Sequence, residues 1–241
     1  MNLNDMLKLD DDVEAAKDII GGGGYVKDSG VYLVKINHAF FEESKGGAQG
    51  VNLSMKHAGA DGVEFNTTIY VTSGKAKGQK PYYISKQGNK VPLPGYTTVD
   101  DMCKIASGKP MQDSSMSTKG VEVYDYAASK KVNKEVQVLD ALTGAILQIG
   151  LDKKLVNKWK DGAPTAETQE RNEISKVFDK AGRTVNEAAA NATPEFIVKW
   201  KEKHDGVTVD DTTIKSGATS SHALPTATTA QSADNTDALF S

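Results

Sequence analysis

The sequence predicts a mainly β protein with added helices: an antiparallel barrel of five to six strands, then C-terminal helices and a disordered tail. Hydrophobicity alternates with a period of two in short segments between Val31 and Leu151. The links between the first three segments are short and glycine-rich (Gly46, Gly47 and Gly50, then Gly59 and Gly62), which suits a meander rather than crossovers through helices. After residue 160 the spacing turns helical, and after about Ser216 almost nothing large remains to bury.

Residues 1–24 open the chain with an amphipathic helix (Leu3, Met6, Leu7, Val13, Ala16, Ile20) broken by Gly21 to Gly24. A phosphate-cradling loop needs a strand before the glycines and a helix after them. The order here is reversed, so the run reads as a flexible joint.

Residues 25–160 hold the barrel. Tyr32, Val34 and Ile36 alternate with Leu33, Lys35 and Asn37; Val51, Leu53 and Met55 with Asn52, Ser54 and Lys56; Phe65, Ile69 and Val71 with Asn66, Thr68, Tyr70 and Thr72. Residues 73–96 read as a long polar loop, and Val99 to Ala106 as a helix closed by Ser107 and Gly108. Val121 to Tyr126 follows as a strand. Val136 to Leu142 and Ala145 to Leu151, joined through Thr143 and Gly144, read as a hairpin closing the sheet. Antiparallel strands interrupted by one helix fit an OB-like Greek-key barrel, and a sandwich shows much the same pattern.

Residues 161–206 read as a helical extension packed on the barrel. Ile174, Val177, Phe178 and Ala181 fit a helix stopped by Gly182; Thr184 and Glu187 form a capping-box pair; Thr193 and Pro194 open a helix carrying Phe196 and Trp200 and ending at Gly206. Trp159 and Trp200 are read as packing these helices on the sheet. Residues 207–241 form the tail, whose tip carries Asp234, Asp237, Leu239 and Phe240.

At 241 residues, 38% hydrophobic and 25% charged, the chain has an ordinary soluble composition. No apolar run reaches a membrane span, and the acidic start (Asp10, Asp11, Asp12) is the wrong charge for a signal peptide, so an intracellular protein is expected. One cysteine, Cys103, and four scattered histidines give no disulfide or metal site. No phosphate-loop lysine motif, nucleophile elbow or paired histidines occur, so neither enzyme activity nor a cofactor is expected. The net charge of −3 conceals a basic body: residues 21–204 hold 26 basic groups against 21 acids, between acidic ends. Such a body suits a polyanion.

The strongest local signal lies between Gly74 and Lys90, where Lys75, Lys77, Lys80, Lys86 and Lys90 surround Tyr82 and Tyr83 without a single acid. Lysines neutralise phosphates, and tyrosine faces stack on unpaired bases. Strand parity turns Tyr70 away from the core, toward a polar face. Phe41 at the end of the first strand, Lys56, and Lys130 and Lys131 after Tyr124 and Tyr126 extend the mixture. In each pair of rings at least one is expected in the core.

This layout resembles the single-stranded DNA-binding proteins of tailed bacteriophages, over residues 25–155 and the last few residues. The resemblance implies a protein in the host cytoplasm that coats single strands in replication, recombination and repair. It also implies that the tail recruits a replicative polymerase, helicase-primase or RNA polymerase, and a homo-oligomer is an open possibility. The tail here carries only two acids near its end, and Ser241 follows Phe240, unlike the dense acidic run of such families. Rival readings are a virion or assembly protein and a strand-annealing recombination factor. The acid-free lysine loop favours nucleic acid over the first and does not separate the second.

Overall fold

The computed structural model describes residues 26–58, 62, 64–125, 130–160 and 162–214. The predicted N-terminal helix and glycine joint lie outside them, as does the tail tip with Asp234, Asp237, Leu239 and Phe240. No described helix is long and apolar enough to cross a membrane.

Strands β1 (Gly30–Glu43), β2 (Gln49–His57) and β3 (Glu64–Tyr70) form the predicted antiparallel meander, with Phe41 opposite Val51 and Val51 opposite Ile69. Alternation puts Val34, Ile36, Val51, Leu53 and Met55 on one fully buried face. Helix α1 (Pro94–Ser107) covers that face with Val99, Met102 and Cys103. A bulge between Ile36 and His38 reverses the parity of β1. Ala39 and Phe41 therefore stay on the main core, while Phe40 turns to the other face and packs with Val121, Val136 and Val138.

The expected loop over residues 73–96 is folded. It holds a 3-10 turn (Lys75–Lys77) and a small hairpin of β4 (Tyr82–Ile84) and β5 (Lys90–Pro92). Helix α1 starts earlier than Val99 because Pro94, with no N–H to satisfy, takes its first position; Gly108, left-handed at φ 74°, ends it as predicted.

Other expectations are overturned. Strands β7 (Lys130–Leu139) and β8 (Ile146–Lys160) do not form a closing hairpin. β7 pairs with β6 (Met116–Asp125), and both β7 and β8 lie along one edge of β1, meeting Phe40 through Val138 and Lys35 through Ile146. The Thr143–Gly144 turn is instead tied to β1, Gly144 N–H donating to Ile36 O at 2.7 Å and Ile36 N–H to Ala145 O at 2.8 Å. This leaves Leu139 and Leu142 in the core.

The helix expected around residues 174–181 is a strand, β9 (Ala163–Phe178), so the segment 161–206 is helical only in its second half. β9 pairs with β8, Val177 opposite Ile149 and Ile174 opposite Leu151, with Ser175 left over at the irregularity between them. That extra residue puts Ile174 and Val177, three apart, on the same core and sends Phe178 to the opposite face. The result imitates helical spacing. Helix α2 (Val185–Ala189) has the predicted capping box: Glu187 N–H donates to Thr184 Oγ1 at 3.2 Å, and Thr184 N–H to Glu187 at 2.8 Å. Helix α3 (Phe196–His204) packs Ile197 and Trp200 on Phe178, and β10 (Thr208–Asp210) runs parallel to β8.

The sheet is also open rather than a closed barrel. Its main path runs β10-β8-β1-β2-β3, and β3 pairs with β2 alone among the described residues. Both faces of the sheet are partly covered, α1 on one and α3 on the other, where Phe40 also packs with Val121, Val136 and Val138 of the adjoining β6–β7 strands. Trp159 does not pack helices on the sheet, since it stands on β8 and is 70% exposed.

Candidate nucleic-acid interface

The interface is built around the end of β3. Tyr70 projects from the face opposite the main core and is 51% exposed, as parity predicts. The 3-10 turn that follows is docked on the β1–β2 turn: Lys75 N–H donates to Gly46 O at 2.9 Å, and the Gln79 side chain to Gly47 O at 2.6 Å. Ser73 and Lys80 close the loop, Ser73 N–H donating to Lys80 O at 2.9 Å and Lys80 N–H to Ser73 Oγ at 3.0 Å. In the β4–β5 hairpin, Ser85 N–H donates to Asn89 O at 2.8 Å and Gly88 supplies the left-handed turn residue. Leu93 N–H donates to Pro81 O at 2.9 Å, joining the hairpin base to the start of α1.

Between these pieces lies an open cavity of about 630 Å³. Tyr70, Tyr82, Tyr83, Lys77 and Lys80 all line it, together with apolar Ile84, Leu93 and Pro94. Lys90 Nζ sits 5.0 Å and Lys80 Nζ 5.9 Å from the centre of the Tyr82 ring, within cation–π range. Lys77, Lys80, Lys86 and Lys90 pair with no acid among the described residues, and Lys86 stands exposed at the hairpin turn. The arrangement offers aromatic walls to a planar ring and free ammonium groups to the anionic backbone attached to it.

Other predicted residues fall elsewhere. Lys75 is engaged, its ammonium 2.7 Å from Glu43, and this hydrogen bond and charge hold the Glu43 carboxyl below the usual range. Phe41 packs on the main core, so with Phe40 in the second cluster neither ring of that pair is available for stacking. Lys56 shares Tyr70's face of the sheet at the far end of β2, opposite Glu64, whereas Tyr70 lies opposite Gly50. Lys130 and Lys131 begin β7 on the separate β6–β7 hairpin, and Lys131 lies 3.0 Å from Glu122. The Tyr124 side chain and Tyr126 lie outside the described residues.

The sequence reading missed Ile84, Leu93, Pro94 and Gly95. A methyl group at Gly95 would fall 2.2 Å from Tyr70 O, so the bare backbone there lets α1 close against the end of β3. The Pro94-Gly95 pair after a short alternation was the available signal. A second concavity, about 510 Å³, lies between the end of α1 and the loop before α2. Its Arg183 is committed to Asp179 at 2.8 Å, and Lys180 lines it without any aromatic ring beside it, so it lacks the stacking surfaces of the first.

No protein-family model matches the chain, and no curated protein sequence matches it.

Proposed function

We propose that this chain is a non-enzymatic, sequence-independent single-stranded DNA-binding protein of phage replication, recombination and repair, and that it holds DNA at the tyrosine cavity. One observation carries the reading. Tyr70 of β3 and Tyr82 and Tyr83 of β4 line one cavity with Lys77 and Lys80, and Lys90 lies over the Tyr82 ring. Stacking on unpaired bases and phosphate neutralisation need these two residue types side by side. The β1–β2–β3 meander followed by α1 is read as an opened OB-like arrangement, and the reading does not depend on closure. In this proposal the protein works in the host cytoplasm, and the tail residues Asp234, Asp237, Leu239 and Phe240 recruit replication or transcription enzymes.

One observation favours the assembly-protein reading: Tyr83 and Ile84 expose apolar surface side by side at the hairpin. Titration with fluorescent single-stranded and duplex oligonucleotides at two salt concentrations separates the two. The proposal expects single strands to bind more tightly, with affinity falling as salt rises. Absence of oligonucleotide binding at low salt leaves the assembly reading.

A further inference from the structure

We infer that the β8–β9 hairpin is a second contact for single-stranded DNA, with Trp159 stacking on an unpaired base and Lys158 and Lys160 meeting the phosphates beside it. The inference rests on the function proposed above and adds a site to it.

β8 and β9 outrun β1, and β10 accompanies β8 only over residues 153–155. β1 accompanies β8 only as far as Leu151, opposite Gly30, while the pairing with β9 continues to Lys160 opposite Ala163. At about 3.4 Å per residue, the hairpin is an arm that runs roughly 30 Å beyond β1 and roughly 17 Å beyond β10. The arm is fixed along its length. Lys153 pairs with Glu170 at 3.1 Å and Lys154 with Glu173 at 2.9 Å. Buried Asn157 accepts the N–H groups of Thr213 at 2.7 Å and Ile214 at 3.0 Å, and its amide donates to Ile214 O at 3.0 Å.

Near the tip of this fixed arm, just past a register irregularity, stands Trp159 opposite Pro164. Its 70% exposure makes it the one large apolar side chain held in solvent between Leu147 and Phe178, among the described residues. Leaving an indole in water forfeits its burial energy, so the arm carries a surface that a ligand completes.

Charge decides the class of ligand. A tryptophan that anchors a protein interface sits among other apolar groups that exclude water. Trp159 is instead preceded and followed along the strand by lysines, Lys158 and Lys160. Lys160 has no acid partner among the described residues, and the Lys158–Glu167 pair at 3.1 Å is solvent-exposed and therefore cheap to exchange. An exposed aromatic with cations at the adjacent positions of a narrow two-stranded arm is a combination that holds an unpaired base and the phosphates running past it.

The chain's two tryptophans make the test direct. Trp200 is buried and stacked on His204 at 4.5 Å, so a change in indole emission on adding DNA reports Trp159. A long oligothymidylate is expected to quench the emission, and a short one that fills only the tyrosine cavity is not. Trp159→Ala is expected to weaken the long oligonucleotide about ten-fold or more and leave the short one unchanged, with Trp159→Tyr restoring most of the loss. Circular dichroism checks that the variants fold. If Trp159→Ala binds the long strand as wild type while Tyr82→Ala weakens it, the arm contact is wrong and the proposed function stands. If no oligonucleotide binds, both fail. An emission change that follows protein concentration without DNA means that Trp159 is buried between copies, and overturns the inference.

Discussion

The ring of Tyr70 lies across Gly50 on the neighbouring strand, so close that a methyl group on Gly50 would come within 3.2 Å of it and 2.7 Å from the Thr68 methyl. Glycine here is a seat for the aromatic ring. Gly50→Ala is therefore expected to dislodge Tyr70 and weaken oligonucleotide binding as Tyr70→Ala does, by roughly 1–3 kcal/mol per stacked base. Fluorescence anisotropy measures the loss, and an unchanged circular dichroism spectrum shows that it is local.

The lysines of the loop divide into two groups. Lys77 and Lys80 are free at the cavity, and Lys75 is paired with Glu43. Replacing Lys77 and Lys80 by alanine should flatten the plot of log affinity against log salt by about 0.7 per lost phosphate contact. Lys75→Ala should leave the slope unchanged. Tyr82→Ala should lower affinity at every salt concentration with the slope intact, because stacking releases no counterions. A slope altered equally by all three lysines contradicts this division.

Cys103 is fully buried beneath the sheet, and burial pushes its thiol up to about 11. A pKa so far above neutrality keeps the sulfur protonated near pH 8, and the reactive thiolate is both scarce and inaccessible. A chromogenic disulfide reagent is expected to leave the folded protein unmodified and to label one thiol per chain in denaturant. Fast labelling of the folded protein contradicts the packing of α1.

Burial alone pushes the Asp179 carboxyl up, but the Arg183 N–H at 2.8 Å, the Arg183 guanidinium at 2.8 Å and the Ala181 N–H at 2.9 Å outweigh it and hold the pKa low. A depressed folded-state pKa contributes stability that is present above the unfolded value, about 3.9, and is lost as pH falls through the folded one. Wild-type melting temperature should therefore fall more steeply below about pH 4 than that of Asp179→Asn, which should be less stable at neutral pH. Parallel melting curves across that range remove Asp179 from the account.

Gly150 on β8 faces Trp200 of α3, and a methyl group there would lie 2.9 Å from the indole ring. Gly150→Ala is expected to cost about 1–3 kcal/mol by overpacking, measured by chemical denaturation. Because the clash is with α3, the Trp200 emission should shift even where the sheet survives. An unchanged midpoint and emission show that the helix shifts without cost.

Parity made the meander legible, since β2 and β3 alternate apolar and polar residues, and it placed Tyr70 on the polar side. The end of α1 at Gly108 and the Thr184–Glu187 cap were legible because each depends on a few local residues. β9 was hidden by one residue: Ser175 shifts the register so that Ile174 and Val177 stand three apart on one face, the spacing of a helix. Thr143 and Gly144 do form a turn, but the hydrogen bonds that stitch it to β1 involve Ile36, over a hundred positions earlier, and no local pattern announces them. At the cavity, the lysine and tyrosine composition was legible. The folding of those residues into a hairpin against Gly95 was not, since a segment of three-residue strands carries too little alternation to read.

The sharing of one edge of β1 by β7 and β8 has a consequence for the order in which the protein is made. Gly30 waits for Leu151, and Phe40 for Val138. During synthesis β1, β2 and β3 can pair as soon as they emerge, but the free edge of β1 stays open until about 70 to 80 further residues, through Val138 and then Leu151, have been translated. An unpaired edge invites strands from other chains. The nascent meander is thus the stage most exposed to aggregation, and truncations ending before residue 130 are expected to accumulate in the insoluble fraction.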